Sequence, residues 1–299
     1  MYVLLRNCLA LAAAALLAMP ANGEAPVQEK GPAMWVVSDA DTRIVLFGTV
    51  HLLPKGVAWE TEAYRKAMAE TAVTAVEVDT ESSYARGTFG DLVREHGLNP
   101  SWQTLRGALG AERYSKLTDV AKRYGVTLSK MERYRPWFVM LMIDIEVMKA
   151  NGFSRDLGVE RNVLKRALSE GDRVLTMETP EAQIKALATL DSQEALDGFD
   201  VSLADLADFK GNMELLLTAW RTGDIDALDR LSGADLRRTA PAAYRALIIN
   251  RNANWVDRLS GWLKGKGTYF VAVGAAHLAG PDSVVKMLEK RGFKATRIQ

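Results

Sequence analysis

Residues 268–277 read TYFVAVGAAH, an unbroken apolar run that stops on Gly-x-x-His and passes straight into a helix start. The same grammar recurs at residues 44–51, IVLFGTVH. Apolar runs of this length between helical patterns are those of strands buried on both faces of a mostly parallel sheet. In such sheets ligands bind beyond the carboxyl ends of the strands. The chain has three histidines, and two of them, His51 and His277, close these strands, so both are expected in one crevice.

Working outward, residues 34–38 (MWVVS) and 43–50 read as a hairpin across Asp-Ala-Asp-Thr. A helix over 59–70 leads to a strand at 72–78, AVTAVEV, with Glu77 at its carboxyl end. Helical spacing then covers 111–124, 136–150 and 156–169, and RVLTME (173–178) is a fourth strand ahead of a Thr179-Pro180 helix start. Residues 192–231 form a long helical region broken at Gly198, Gly211 and Gly223, and 240–264 form one amphipathic helix ending at Gly265. Gly280-Pro281 begins the final helix, and 294–298 add an edge strand. The predicted fold is α/β: a mixed, mostly parallel sheet built from both chain ends and flanked by helices. A largely helical insertion over about 86–171 serves as a lid or a wall within a single domain spanning 24–299.

Composition narrows the function classes. At 48% hydrophobic and 25% charged residues the chain is an ordinary globular one, which excludes disordered and fibrous classes. Arg6, an Ala/Leu run over 8–19 and small residues at 21–23 make a secretory signal peptide cleaved after Gly23. An uncleaved N-terminal anchor is the alternative, although the run is too short for a mature spanning helix. Cleavage removes the sole cysteine, Cys8, and lowers the 38 basic residues by Arg6 to 37, against 37 acidic. Balanced charge gives no support for nucleic-acid binding. A cysteine-free chain tolerates an oxidising compartment, and a periplasmic or secreted protein with no stable transmembrane segment is expected.

Four strands end at His51, Glu77, Glu178 and His277. Two imidazoles and one or two carboxylates at one rim make a divalent-metal site with a position open for water. Gly48 and Gly274, three residues before each histidine, allow close backbone approach there. Each residue has a plainer reading too. A strand-end histidine also serves in hydrogen bonding, and Glu77 also caps a helix or pairs with a base. Glu178 also sits well before a helix dipole, Asp79 belongs to turn chemistry, and His96 is solvent-exposed. Ile248, Trp255, Leu259 and Trp262 mark the buried face of the 240–264 helix, with Asn252 on it and Arg251 on the adjoining row. A guanidinium there needs either a ligand or a scaffold acid such as Glu77 or Glu178. No Gly-rich phosphate loop, H-E-x-x-H or G-x-S-x-G is present.

The segments GTVH (48–51), VEVD (76–79), METPEAQ (177–183), AWRTGD (219–224), RNANW (251–255) and VAVGAAHLAGPDSV (271–284) resemble the TraB/PrgY/GumN family, which includes the Tiki metalloproteases. The resemblance covers nearly all of the mature chain. It implies a divalent metal, manganese or cobalt with zinc as an alternative, and hydrolysis of peptide bonds in a peptide or protein substrate. By motif, His51 and His277 match the family's G-x-x-H histidines, Glu77 its early acid and Arg251 its helix arginine. Where the family often has Gly-hydrophobic-Asp, this chain reads Gly158-Val159-Glu160, and no role is assigned to Glu160. The expected site has His51, Glu77 and His277 on the metal and a metal-activated water attacking a carbonyl. Glu178 carries the proton, and Arg251, with Asn252, contacts substrate. The alternative is a non-catalytic protein that uses the same crevice to bind haem, a metal or a small ligand.

Overall fold

The computed structural model describes residues 31–192, 196, 199, 203, 206 and 209–299. The expected signal peptide and the break at Gly198 lie outside these residues. The strands are β1 (Met34–Ser38), β2 (Thr42–Thr49), β3 (Leu53–Pro54), β4 (Val73–Val76), β5 (Phe153–Ser154), β6 (Arg173–Thr176), β7 (Gly267–Gly274) and β8 (Ala295–Arg297). The longer helices are α1 (Glu62–Ala69), α2 (Ser83–His96), α3 (Ala111–Arg123), α4 (Pro136–Ala150), α5 (Val159–Glu170), α6 (Pro180–Ala188), α7 (Phe209–Arg221), α8 (Asn250–Trp262) and α9 (Val284–Lys290).

Six strands form one sheet in the order β6-β4-β7-β2-β1-β8. The four strands from β6 to β2 run parallel, while β1 is antiparallel to both β2 and the edge strand β8. The β1–β2 hairpin closes as expected, with Asp39 Oδ1 accepting from Thr42 N at 2.9 Å. Strand alternation sorts the apolar runs onto two cores. Ile44, Leu46, Val271 and Val273 pack with Trp255, Val256 and Leu259 of α8 on one face. Val45, Phe47, Phe270 and Ala272 pack with α1, α4, α5 and α7 on the other. Both faces are covered, so the runs have no polar alternation; each buried Val, Leu, Ile or Phe contributes roughly 1.5–3 kcal/mol.

Register decides where the chemistry collects. Thr49 pairs with Gly274, and Val76 pairs with both Ala272 and Thr176, so four strands stop within a residue or two of one level. His51, Glu77, Glu178 and His277 come immediately after, at that rim.

Four local expectations are corrected. The first helix begins at Glu62, not 59, because Thr61 caps it by accepting from Tyr64 N. The last helix begins at Val284 behind the Ser283 cap, since Gly280 has φ +79° and stands outside helical geometry. The 240–264 helix is interrupted by a π-helical turn, Arg245–Ile249, directly before α8. His96 is half-buried rather than exposed, and its carbonyl accepts from Trp137 Nε1 at 3.0 Å. Within residues 86–171 the structure is mainly helical, and α4 lines the cavity beside the rim.

Candidate active site

Both Gly-x-x-His glycines mark close approaches. A Cβ on Gly48 would lie 3.2 Å from Ala275, and the Gly48 carbonyl accepts from Trp220 Nε1 at 2.9 Å. A Cβ on Gly274 would lie 2.9 Å from Glu77 Oε1, the oxygen that accepts from the Gly274 amide at 2.6 Å. The glycine thus lets a carboxylate rest directly on the backbone where β7 ends.

Arg251 joins the strand ends. Its Nε and Nη2 donate to the two oxygens of Glu178 at 2.9 and 2.7 Å, and Nη2 also donates to Glu77 Oε2 at 2.8 Å. Nη1 donates to the Leu247 carbonyl at 3.2 Å and meets His277 Nε2 at 2.9 Å. The guanidinium carbon lies 4.9 Å from the centre of the Trp255 ring, a cation–π contact. An arginine has no acceptor, so His277 Nε2 must accept and its proton sits on Nδ1. That nitrogen donates to Asn252 Oδ1 at 2.6 Å. Asn252 is fully buried, and its Nδ2 donates to the Asp282 carbonyl at 2.7 Å. It therefore orients the His277 ring from behind.

Across the crevice, His51 Nδ1 lies 2.9 Å from Glu160 Oε2. Glu160 Oε1 accepts from the Glu77 backbone amide at 2.9 Å, so this side chain ties His51 to the β4 end. Asp79 accepts from the amides of Glu81 and Ser82 and serves the turn, as its position implied. The structure gathers Glu77, Glu178, Arg251 and His277 into direct contact, sets His51 opposite, and supplies Glu160 as a residue the sequence reading left without a role. The available signal was Gly158-Val159-Glu160 at a helix start. A Cβ on Gly158 would meet the His51 carbonyl oxygen at 2.0 Å, which places this turn against the first histidine.

The buried carboxylates divide into two kinds. Burial pushes Glu77 up, but Arg251, His277, His51 and the Gly274 amide together outweigh it and hold the carboxyl at about 2. Burial raises Glu178, and the guanidinium it shares with Glu77 does not bring it back. Burial likewise raises Glu160 despite His51 beside it. One guanidinium is thus shared between two acids, which holds Glu77 low while burial keeps Glu178 raised. Burial, with Arg251 adjoining, lowers His277 to about 3, which leaves its imidazole neutral.

The donor types suit a divalent ion. Both histidines have Nδ1 held by an oxygen, the orientation that ligating histidines use. Among the described residues no three donors are closed into a metal cage. Arg251 lies against both Glu77 and His277, and two of its bonds go to Glu178.

Above this polar floor lies a cavity of about 510 Å³, lined by His51, Glu77, Glu160, Arg251 and His277, by apolar side chains of α2, α4 and α6, and by Arg86, Arg155 and Arg161.

A family model described as TraB/PrgY/gumN family matches residues 33–297. The uncharacterized protein YbaP of Escherichia coli (strain K12) is 22% identical over 258 residues, covering 86% of this chain and 92% of that protein. The uncharacterized protein YbaP of Shigella flexneri matches with the same identity and coverage. An uncharacterized protein of Treponema pallidum (strain Nichols) is 25% identical over 179 residues, covering 56% of this chain and 53% of that protein.

Proposed function

The chain belongs to the TraB/PrgY/gumN family, and on that premise we propose that the crevice is the active site of an exported, divalent-metal-dependent hydrolase acting on peptides. The observation that carries this reading is a surplus of buried acid. Glu77 shares Arg251 with Glu178 on one side and has its backbone amide on Glu160 on the other, and both histidines have their Nδ1 atoms anchored. Such a surplus is what a divalent cation neutralises.

His51, Glu77 and His277 would hold the ion, manganese or cobalt by family resemblance. Once bound, it would supply Lewis acidity toward a carbonyl. The protein's own groups do the rest. Glu160 and Asn252 fix the two imidazole rings, and Glu178, raised by burial, takes and returns a proton. Arg251, kept on Glu178, offers its donors to the developing oxyanion or to a substrate carboxylate. Arg6 and the Ala/Leu run after it support export to the periplasm or beyond. Among the described residues no helix is long and apolar enough to cross a membrane.

A second reading is a binding protein in which Arg251, already seated on Glu77 and His277, anchors an anionic group without turnover. Purified protein separates the two. Peptide cleavage lost to a chelator and restored by manganese supports the hydrolase; stoichiometric binding without turnover supports the alternative. His51→Ala and His277→Ala should each remove most of the bound metal, and the double variant little more, since both act on one ion. Full metal content in either single variant, by elemental analysis, sinks the shared site.

A further inference from the structure

Helix α4, PWFVMLMIDIEVMKA, is apolar around most of its circumference, with an ion pair between Glu146 and Lys149 near its end. Such a helix needs two apolar surroundings, and only one of them is the core. Trp137, Met140, Ile143 and Val147 are fully buried. Phe138, Leu141 and Ile145, spaced i, i+3 and i+7, are half-buried and face the cavity. Across the void stand Phe89 and Val93 of α2 and Leu187 of α6, also half-buried. Six large apolar side chains from three helices thus leave their surface on one void instead of closing it. Apolar area left wet is unfavourable, and such a concentration marks a ligand site. At about 510 Å³ the void has the size of one.

The void is continuous with the charged floor, so its occupant must present both an apolar group and a polar one. Arg251 stands at the floor, with Arg86, Arg155 and Arg161 also in the lining, so the polar end offers donors to a carbonyl oxygen. Resting on the hydrolase reading above, we infer that the substrates are peptides with a large apolar side chain next to the scissile carbonyl. The side chain lies against α2, α4 and α6, and the carbonyl is delivered to Arg251 and His277.

The test measures binding apart from cleavage. Two capped hexapeptides, identical except for a central Phe-Leu or Ser-Asn, are titrated calorimetrically into the full chain with chelator present. The Phe-Leu peptide should bind at least tenfold more tightly, the yield of burying one such side chain. Leu141→Gln and Ile145→Trp, one making the wall polar and one filling the void, should each cut that preference several-fold while circular dichroism reports an intact fold. Equal affinities, no binding of either peptide, or an unchanged preference in both folded variants overturns the inference. Selective binding with no cleavage in manganese, monitored by mass spectrometry, upholds the pocket and sinks the hydrolase reading instead.

Discussion

Arg251 Nη1 lies 2.9 Å from His277 Nε2, and through that one contact a guanidinium occupies the nitrogen lone pair that a metal ion needs. The same guanidinium bonds Glu77 and Glu178, so it balances charge where an ion would.

Arg251 and a metal ion should therefore compete. Arg251→Met leaves two buried carboxylates without their partner, and breaking such a pair costs about 3–5 kcal/mol. Chelated protein should melt earlier, manganese should restore the loss, and manganese affinity by calorimetry should rise about tenfold or more. If affinity instead falls as far as in the histidine variants, the guanidinium is part of the ion's seat and not its competitor.

Two glycines separate packing from propensity. Gly158→Ala drives a Cβ onto the His51 carbonyl, with backbone on both sides, and should cost about 2 kcal/mol or more. Gly87, inside α2, meets nothing within 4 Å. Gly87→Ala should stabilise by about 0.5–1 kcal/mol through helix propensity alone. Urea unfolding of both variants reads the contrast, and equal effects would contradict the close approach at His51.

Asp144 of α4 is wholly buried, and neither carboxyl oxygen has a hydrogen-bond partner among the described residues. Burial pushes its carboxyl from 3.8 to about 8. The folded chain keeps that proton where the unfolded chain has lost it, so stability falls as pH rises across the window from 3.8 to about 8. The slope contributed is at most about 1.4 kcal/mol per pH unit. Asp144→Asn should flatten the dependence and gain most at pH 8, measured by thermal melts at pH 5 and 8. A slope unchanged by the substitution assigns it to other groups.

The sheet was legible because its strands are buried on both faces, and residues 44–50 and 268–273 announce that by composition. Legible too were the strand-end positions of His51, Glu77, Glu178 and His277, since the register aligns the ends of the parallel strands. Arg251 was legible only as a choice between a ligand and a scaffold acid, and the structure pairs it with Glu77 and Glu178 together. The turn Arg245–Ile249 was hidden because a π insertion keeps helical composition and alters only the phase of the helix beyond it. Glu160 was hidden because its bond to His51 joins residues far apart in sequence. Asn252 fell on the correct face, but periodicity says which side is buried and not which partner waits there.

The place of β7 bears on when the chain can fold. It sits between β4 and β2 in the sheet, yet it is encoded almost at the end of the chain. A chain emerging from its N-terminus holds β1, β2, β4 and β6 with the joining strand still unmade. The β1–β2 and β4–β6 pairs have no central partner until β7 is made, and its pairings to both are long-range and slow. The two halves of the rim, His51 on one side and Glu77 with Glu178 on the other, are joined only when β7 enters between them.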